Sequence, residues 1–219
     1  PLDPNSIRIP DPMRRSFLIM FAAGLAWVHQ ATAQVGGPMA PGVAVAGVTQ
    51  VEWAERWWQW AFSFERPRSP IADRTGQFCA SRQSGDVWFL AGTYGTRRTE
   101  RTCRVPRGKY LFFPIINYVE FVPEGSAETC ASLVARAAAD TGSPSTLILE
   151  VDGTRFGKSR IHRLASRGCF SLIPGGPPDA SSNGYYVMLA PLTPGTHLIE
   201  FAGVLPTMMQ AVTYRLVVE

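Results

Sequence analysis

Two short apolar segments, separated by a polar and basic stretch, form the strongest pattern in the chain, between Val87 and Asn117. The first segment is VWFLAGTY and the second is KYLFFPII. Each is too short for an average helix, is rich in aromatic and β-branched residues, and is bounded by glycine or proline. We therefore predict two buried core strands that form a hairpin with the basic stretch at its tip.

Helical periodicity precedes and follows this pair. Thr49 and Glu52 match the T-x-x-E capping box, and the segment VEWAERWWQWAFSF follows directly. One face of this predicted helix carries a regularly spaced aromatic row, made of Trp53, Trp57, Trp60 and Phe64. The helix must end before Pro67. A second amphipathic helix is predicted over residues 127–140, because its apolar positions also fall on one face.

From Ser145 to the end of the chain the pattern predicts β structure. The segments TLILEV and TRFG flank Asp152 and Gly153, which form a strong hairpin signal. Three more predicted strand regions follow: Cys169–Ile173, Gly184–Leu189, and a closing pair made of HLIEFAGV and TYRLVVE. Short strands punctuated by glycine and proline predict a mainly β fold. We expect a single-domain β-sandwich over residues 49–219, immunoglobulin-like or jelly-roll-like, with one or two packed α-helices.

The N-terminal segment has the three parts of a secretory signal peptide. Basic residues after Met13 precede a 12-residue apolar run, FLIMFAAGLAWV, and Ala31–Ala33 supplies a small-x-small cleavage site. A transmembrane anchor would need about 20 apolar residues. We predict a signal peptide over residues 13–33, a non-native leader over 1–12 and a flexible leader over 34–48. The mature protein is then periplasmic or secreted, with no transmembrane segment.

The composition and the cysteine count agree with an exported globular protein. The chain is 46% hydrophobic and 17% charged with a net charge of +4, which excludes an intrinsically disordered chain. Its four cysteines, Cys79, Cys103, Cys130 and Cys169, predict two disulfides in an oxidising compartment. Three pairings are open, and we favour Cys79–Cys103 with Cys130–Cys169 because each closes a local loop. No CxxC pair occurs, so we predict no metal site.

Two surface features are candidates for ligand binding. Trp58 lies off the main aromatic row, so we expect it to be exposed and able to stack on a sugar, although the row itself is what helix packing requires. The basic stretch is opposed only by Glu100 and contains Arg97, Arg98, Arg101, Arg104, Arg107 and Lys109. The first three are candidate ligands for a glycan or an anionic envelope polymer. The alternative is a charged, solvated strand edge. No aromatic residues interleave these cations, so specific nucleic-acid binding is not expected.

Candidate catalytic residues are few. The mature chain has two histidines, His162 and His197, and none of the common hydrolase, protease or phosphate-loop motifs. Glu120 follows the second core strand, close to Asn117, and with Asp73 it could perform acid–base chemistry on a glycosidic bond. No cofactor is predicted.

The order of several motifs supplies a resemblance. WAERWWQWAFSF, TGQFC, VWFLAGTYG, RTCRVPRGKYLFFPIIN and GYYVMLAPLTPGTHLIEFAG together resemble a group of uncharacterised exported bacterial β-rich proteins. The resemblance implies export and a β-rich fold, and it assigns no activity. We therefore expect a non-catalytic binding or structural module of the cell envelope, with an unknown ligand. The alternatives are a hydrolase or lyase acting on an extracellular polysaccharide, and a subunit of an oligomeric assembly.

Overall fold

Two β-sheets face each other across a common core in the computed structural model, which describes residues 36–95, 98–123 and 125–219. The strands are β1 (Val87–Phe89), β2 (Thr99–Val105), β3 (Tyr110–Phe121), β4 (Thr146–Val151), β5 (Thr154–Phe156), β6 (His162–Ala165), β7 (Ala180–Leu189), β8 (Gly195–Val204) and β9 (Met209–Val218). The first sheet has the order β1-β3-β7-β6, and the second has the order β2-β9-β8-β4-β5. The prediction of a mainly β, single-domain sandwich is confirmed. The predicted signal peptide, the leader before it and Arg97 lie outside the described residues.

Side-chain alternation places the core between the sheets. Leu111 and Phe113 of β3 face the second sheet, and the ring centroid of Phe113 lies 5.0 Å from that of Phe201 in β8. Phe112, between them in sequence, faces the opposite side and is fully buried there against a helix. β3 is therefore covered on both faces, which explains why its sequence is a continuous apolar run.

The predicted hairpin between the two apolar segments is wrong. β1 runs parallel to β3, with Val87 opposite Tyr110. β2 separates them in the chain but belongs to the second sheet, where it runs parallel to β9. Parallel neighbours need a crossover connection, and β2 is part of that connection. The basic stretch is therefore largely a strand of the sandwich and not a hairpin tip.

The first helix, α1 (Gln50–Phe62), covers the outer face of the first sheet. The hydroxyl of Thr49 accepts a hydrogen bond from the Glu52 N–H at 3.2 Å, as the capping pattern predicts. The three tryptophans of the aromatic row are buried, with Trp57 only 1% exposed and its indole N–H bonded to the Leu90 carbonyl at 3.0 Å. Phe64 is half-buried and lies beyond the end of the helix. Packing, and not sugar stacking, accounts for this row.

The second helix, α2 (Cys130–Asp140), packs against β3 and β7. It begins later than predicted, because Thr129 caps it and forms a reciprocal capping box with Ser132. Leu133 and Ala137 form its buried face. Neither α1 nor α2, the α-helices of the described part of the chain, is long and apolar enough to cross a membrane.

Both predicted disulfides are present, in the favoured pairing of Cys79 with Cys103 and Cys130 with Cys169. The first ties the loop before β1 to β2. The second ties the first turn of α2 to the segment before β7. Each bridge therefore fixes a long connection to a regular element.

Residues 36–48 differ from the predicted flexible leader, because they lie against the domain. The Met39 N–H donates to the Met188 carbonyl at 2.8 Å, and Pro38 pairs with Leu189. These contacts cover the edge of β7 beyond the residues that β6 pairs with. Val45 is 3% exposed. The segment therefore protects a strand edge that would otherwise present unpaired backbone groups.

Candidate functional site

A cavity of about 260 Å³ opens between α1, the end of β3, the loop after β1 and the turn between β8 and β9. Most of its wall is apolar and comes from Trp57, Trp58, Phe62, Ile71, Val119 and Met208. Its polar side chains are those of Thr93, Tyr94, Asn117, Tyr118 and Gln210. Among the residues that the structure describes, the lining contains no charged side chain. An apolar concave site with a few fixed polar groups is the usual form of a small-molecule pocket.

Two of the sequence-predicted candidates meet at this cavity. The indole N–H of Trp58 and the carboxamide N–H of Asn117 both donate to the hydroxyl oxygen of Tyr186, each at 3.1 Å. Trp58 is 8% exposed, so the expectation that it stands exposed is wrong. Burial raises the pKa of Tyr186, and the hydrogen bonds from Asn117 and Trp58 only partly oppose this shift. Tyr186 therefore acts as a neutral anchor for both neighbours.

Gln210 supports the cavity from β9. Its carboxamide oxygen accepts from the Thr93 N–H at 2.9 Å, and its NH₂ group donates to the carbonyls of Pro114 at 3.2 Å and Ile115 at 2.7 Å. The pairing of β3 with β7 shifts register between Pro114 and Ile116, which turns these carbonyls away from the ladder. One buried side chain therefore holds both the bulge and the loop after β1.

Arg101 differs most from its sequence-based interpretation. The sequence predicts a surface ligand for an anionic polymer, but Arg101 is only 3% exposed. Its guanidinium group donates five hydrogen bonds of 2.6–3.2 Å, to the carbonyls of Ile71, Asp73, Ala91 and Gly92 and to the hydroxyl of Tyr214. A guanidinium has five N–H groups, so all of them are satisfied inside the protein. Arg101 therefore joins two loops and is not available to an external polymer.

Two other arginines of the basic stretch, Arg98 and Arg104, lie on the surface. Arg98 is 63% exposed and pairs with Glu200 at 2.6 Å. Arg104 is 71% exposed and pairs with Glu219 at 2.7 Å. Each pair reduces the positive charge that the sequence concentrates in this stretch.

The two candidate catalytic carboxylates have separate structural partners. The Glu120 carboxylate accepts from the guanidinium of Arg136 in α2 at 2.9 Å. The Asp73 carboxylate accepts from the Thr75 N–H at 2.8 Å, the Thr75 hydroxyl at 2.9 Å and the Phe78 N–H at 2.9 Å. Neither residue lines the cavity, and no hydrogen bond joins the two in the described structure. Only Asn117, of the three catalytic candidates, lies at the cavity.

Sequence reasoning missed one close pair of titratable groups. Asp152 occupies the hairpin turn with φ of 48°, as predicted, but its carboxylate also lies 2.7 Å from His197 Nδ1 and accepts from the Leu198 N–H at 2.7 Å. The other ring nitrogen of His197 faces the Thr193 carbonyl at 2.8 Å. Both ring nitrogens are therefore engaged, and the pair fastens the turn to the start of β8.

Asp73 makes the stability of the loop dependent on pH. Burial raises the pKa of its carboxyl group, but the hydrogen bonds from Phe78 and Thr75 together outweigh burial, and the pKa lies below its ordinary value. The ionised form therefore stabilises the fold above about pH 4, and this contribution is lost as the pH falls through the lowered pKa.

We expect Asp73→Asn to be less stable than the wild type by about 1 kcal/mol at neutral pH and to lose less stability in acid. Urea unfolding at about pH 6 and about pH 2.5 measures both quantities. An equal loss of stability in the two proteins between these pH values would contradict the assignment.

A second cavity of about 310 Å³ adjoins the first and shares Ile71, Thr93 and Tyr94 with it. Tyr94 is 58% exposed and stands between the two. The guanidinium carbon of Arg66 lies 5.8 Å from the centroid of the Tyr94 ring. The second cavity also includes Arg74 in its lining.

Within residues 36–95, 98–123 and 125–219, no three histidine, cysteine, aspartate or glutamate side chains gather where they could hold a metal ion. Comparison with known proteins gives no match to a protein-family model, to a curated protein or to a solved structure. The interpretation of the site therefore depends on its geometry.

Proposed function

We propose that this protein is a non-catalytic binding protein that holds a small, largely apolar ligand in the first cavity. The observation that supports the proposal is the uncharged, mostly apolar lining together with the exposed aromatic side chains at its border. Phe62 is 45% exposed and Tyr94 is 58% exposed, and both line the cavity. Exposed aromatic groups around an apolar concavity are typical of a binding surface.

The rigidity of the wall also favours binding. The backbone of residues 90–93 is fixed by side chains from three different elements, namely Trp57 of α1, Arg101 of β2, and Gln210 and Tyr214 of β9. A wall held in this way does not have to be ordered when a ligand arrives, so binding costs less conformational entropy. This pre-ordered wall distinguishes the site from a surface loop that becomes ordered only when its partner binds.

A binding role fits the cavity better than the hydrolase or lyase alternative. General acid–base catalysis needs a titratable group within hydrogen-bond reach of the substrate. The described lining offers carboxamides and hydroxyls but no carboxylate or histidine. Turnover of an extracellular polysaccharide that is lost in Glu120→Gln would contradict the proposal. A defined oligomer in light scattering would favour the other alternative, a subunit of an oligomeric assembly.

We also place this activity outside the cytoplasm, in the periplasm or the medium. The two disulfides are compatible with an oxidising compartment. The predicted signal peptide over residues 13–33 supports the same location. Identification of the N-terminal residue of the exported protein tests it, with Gln34 expected.

Filling the cavity should weaken ligand binding. The neutral apolar dye N-phenyl-1-naphthylamine is expected to bind the wild type saturably with enhanced fluorescence. Val119→Phe adds bulk inside the cavity and should weaken binding at least about tenfold, which corresponds to about 1.4 kcal/mol. Val43→Phe is the matched control, because Val43 is 43% exposed and does not line the cavity.

Met208→Trp fills the cavity from another wall and provides an independent test if Val119→Phe does not fold. Far-ultraviolet circular dichroism confirms that each variant is folded. Absence of saturable dye binding to the wild type, or equal binding by folded Val119→Phe and Met208→Trp, would overturn the proposed function.

A further inference from the structure

The two adjoining cavities differ in charge. The first is lined by apolar and neutral polar groups, whereas the second includes the guanidinium of Arg74. The shared residues Ile71, Thr93 and Tyr94 make the two cavities neighbours along one cleft. A ligand that extends past Tyr94 therefore passes from an apolar environment to a cationic one.

Arg74 is available to such a ligand. Within the described residues, no hydrogen bond or ion pair engages its side chain. The adjacent carboxylate of Asp73 is directed to Thr75 and Phe78 and accepts three hydrogen bonds there. Arg66, placed over the Tyr94 ring, adds a second positive charge beside Tyr94, where the two cavities adjoin.

We propose that the ligand is a free monocarboxylic acid with a single apolar chain, whose chain occupies the first cavity and whose carboxylate binds Arg74 in the second. This inference depends on the proposed function and specifies its ligand class. A guanidinium pairs well with a carboxylate, since two parallel N–H groups match its two oxygens. The uncharged lining of the first cavity accommodates a chain that has no further ionised group, because an unpaired charge there would be desolvated at high cost.

Charge complementarity also disfavours other ligand classes. A cationic amphiphile would meet Arg74 and Arg66, and the described lining of the two cavities offers it no carboxylate. A polyanion would require many basic groups along one surface, but Arg101 is buried and Arg98 is paired with Glu200. A neutral alcohol would place its apolar chain in the first cavity but would form no ion pair with Arg74.

Three probes with the same ten-carbon chain test this inference by displacement of N-phenyl-1-naphthylamine: decanoate, 1-decanol and decyltrimethylammonium. Decanoate is expected to bind at least about tenfold more tightly than the other two. Added salt should lower the affinity for decanoate more than the affinity for decanol. Arg74→Gln should remove this preference and leave decanol unchanged. Arg68→Gln is the matched control, because Arg68 is exposed in the same region and lines neither cavity.

The outcomes separate the ligand class from the binding function. Equal affinities for decanoate and decanol, or an unchanged preference in Arg74→Gln, would overturn the inference while dye binding and its loss in Val119→Phe still support the binding function. Sedimentation with phosphatidylglycerol vesicles distinguishes a free acid from a membrane lipid. We expect no cosedimentation, and cosedimentation that Arg74→Gln abolishes would contradict the assignment to a free acid.

Discussion

Arg101→Met is expected to lower the free energy of unfolding by at least about 3 kcal/mol. The substitution keeps much of the side-chain volume but removes the donors that satisfy the buried carbonyls of Asp73 and Gly92. The Ala91 carbonyl loses the guanidinium as a donor and keeps the Tyr214 hydroxyl. Replacing a buried charge with an apolar group is sometimes neutral, because its partner can be replaced as well. Here most partners are main-chain carbonyls, which remain in place and lose their hydrogen bonds. Because these carbonyls stay buried without a donor, their desolvation makes the substitution destabilising.

Arg104→Met is the matched control for this experiment. Arg104 lies three residues further along β2 on the opposite face, is 71% exposed, and forms a surface ion pair with Glu219. Such pairs contribute about 0–1 kcal/mol. Urea unfolding followed by tryptophan fluorescence gives both values. If Arg101→Met and Arg104→Met differ by less than about 1 kcal/mol, the buried hydrogen bonds of Arg101 do not stabilise the fold as argued.

The sequence predicted features that depend on local rules. The turn at Asp152 and Gly153 follows from the preference of these residues for positive φ, and both adopt it. The tryptophans Trp53, Trp57 and Trp60 of α1 are buried because helical spacing places them on one face. The disulfide pairing was also predicted correctly, because the preference for short loops favours bonds between successive cysteines in the chain.

The arrangement of strands did not follow from the same rules. β2 has the two-residue alternation of a half-buried strand, but Arg101 occupies one of its inward positions. A charged residue there made the segment resemble a solvated tip. The parallel pairing of β2 with β9 joins Thr99 to Val212, and such non-local pairing has no local signature.

The site was only partly accessible to sequence reasoning. Asn117 and Trp58 were selected for different reasons, and nothing in their separation indicated that both bond to Tyr186. Gln210 was missed, because a single glutamine in a β-rich segment carries no recognisable pattern. The cavity is formed by segments that are distant in the chain, so its shape depends on how the layers pack.

Reduction of both disulfides is expected to remove most of the stability of the protein. In the chain-entropy model, a bridge with a sequence separation of 24 contributes about 3.5 kcal/mol, and one with a separation of 39 contributes about 4 kcal/mol. The two loops do not overlap in sequence, so we add these values to about 7 kcal/mol. This is comparable with the total stability of about 5–15 kcal/mol of a typical domain.

The order of reduction should follow exposure. Cys130 is exposed, whereas Cys79 is 9% exposed and Cys103 is 1% exposed. A mild reductant should therefore open Cys130–Cys169 first and lower the Tm by about 10 °C, as should the paired change Cys130→Ala and Cys169→Ala. The buried bridge should open only when denaturant exposes it, after which the chain unfolds cooperatively. Thiol trapping with mass mapping, followed by calorimetry, measures both steps. A Tm that changes by less than about 3 °C after complete reduction would show that the packed sheets and helices are stable without the two disulfides.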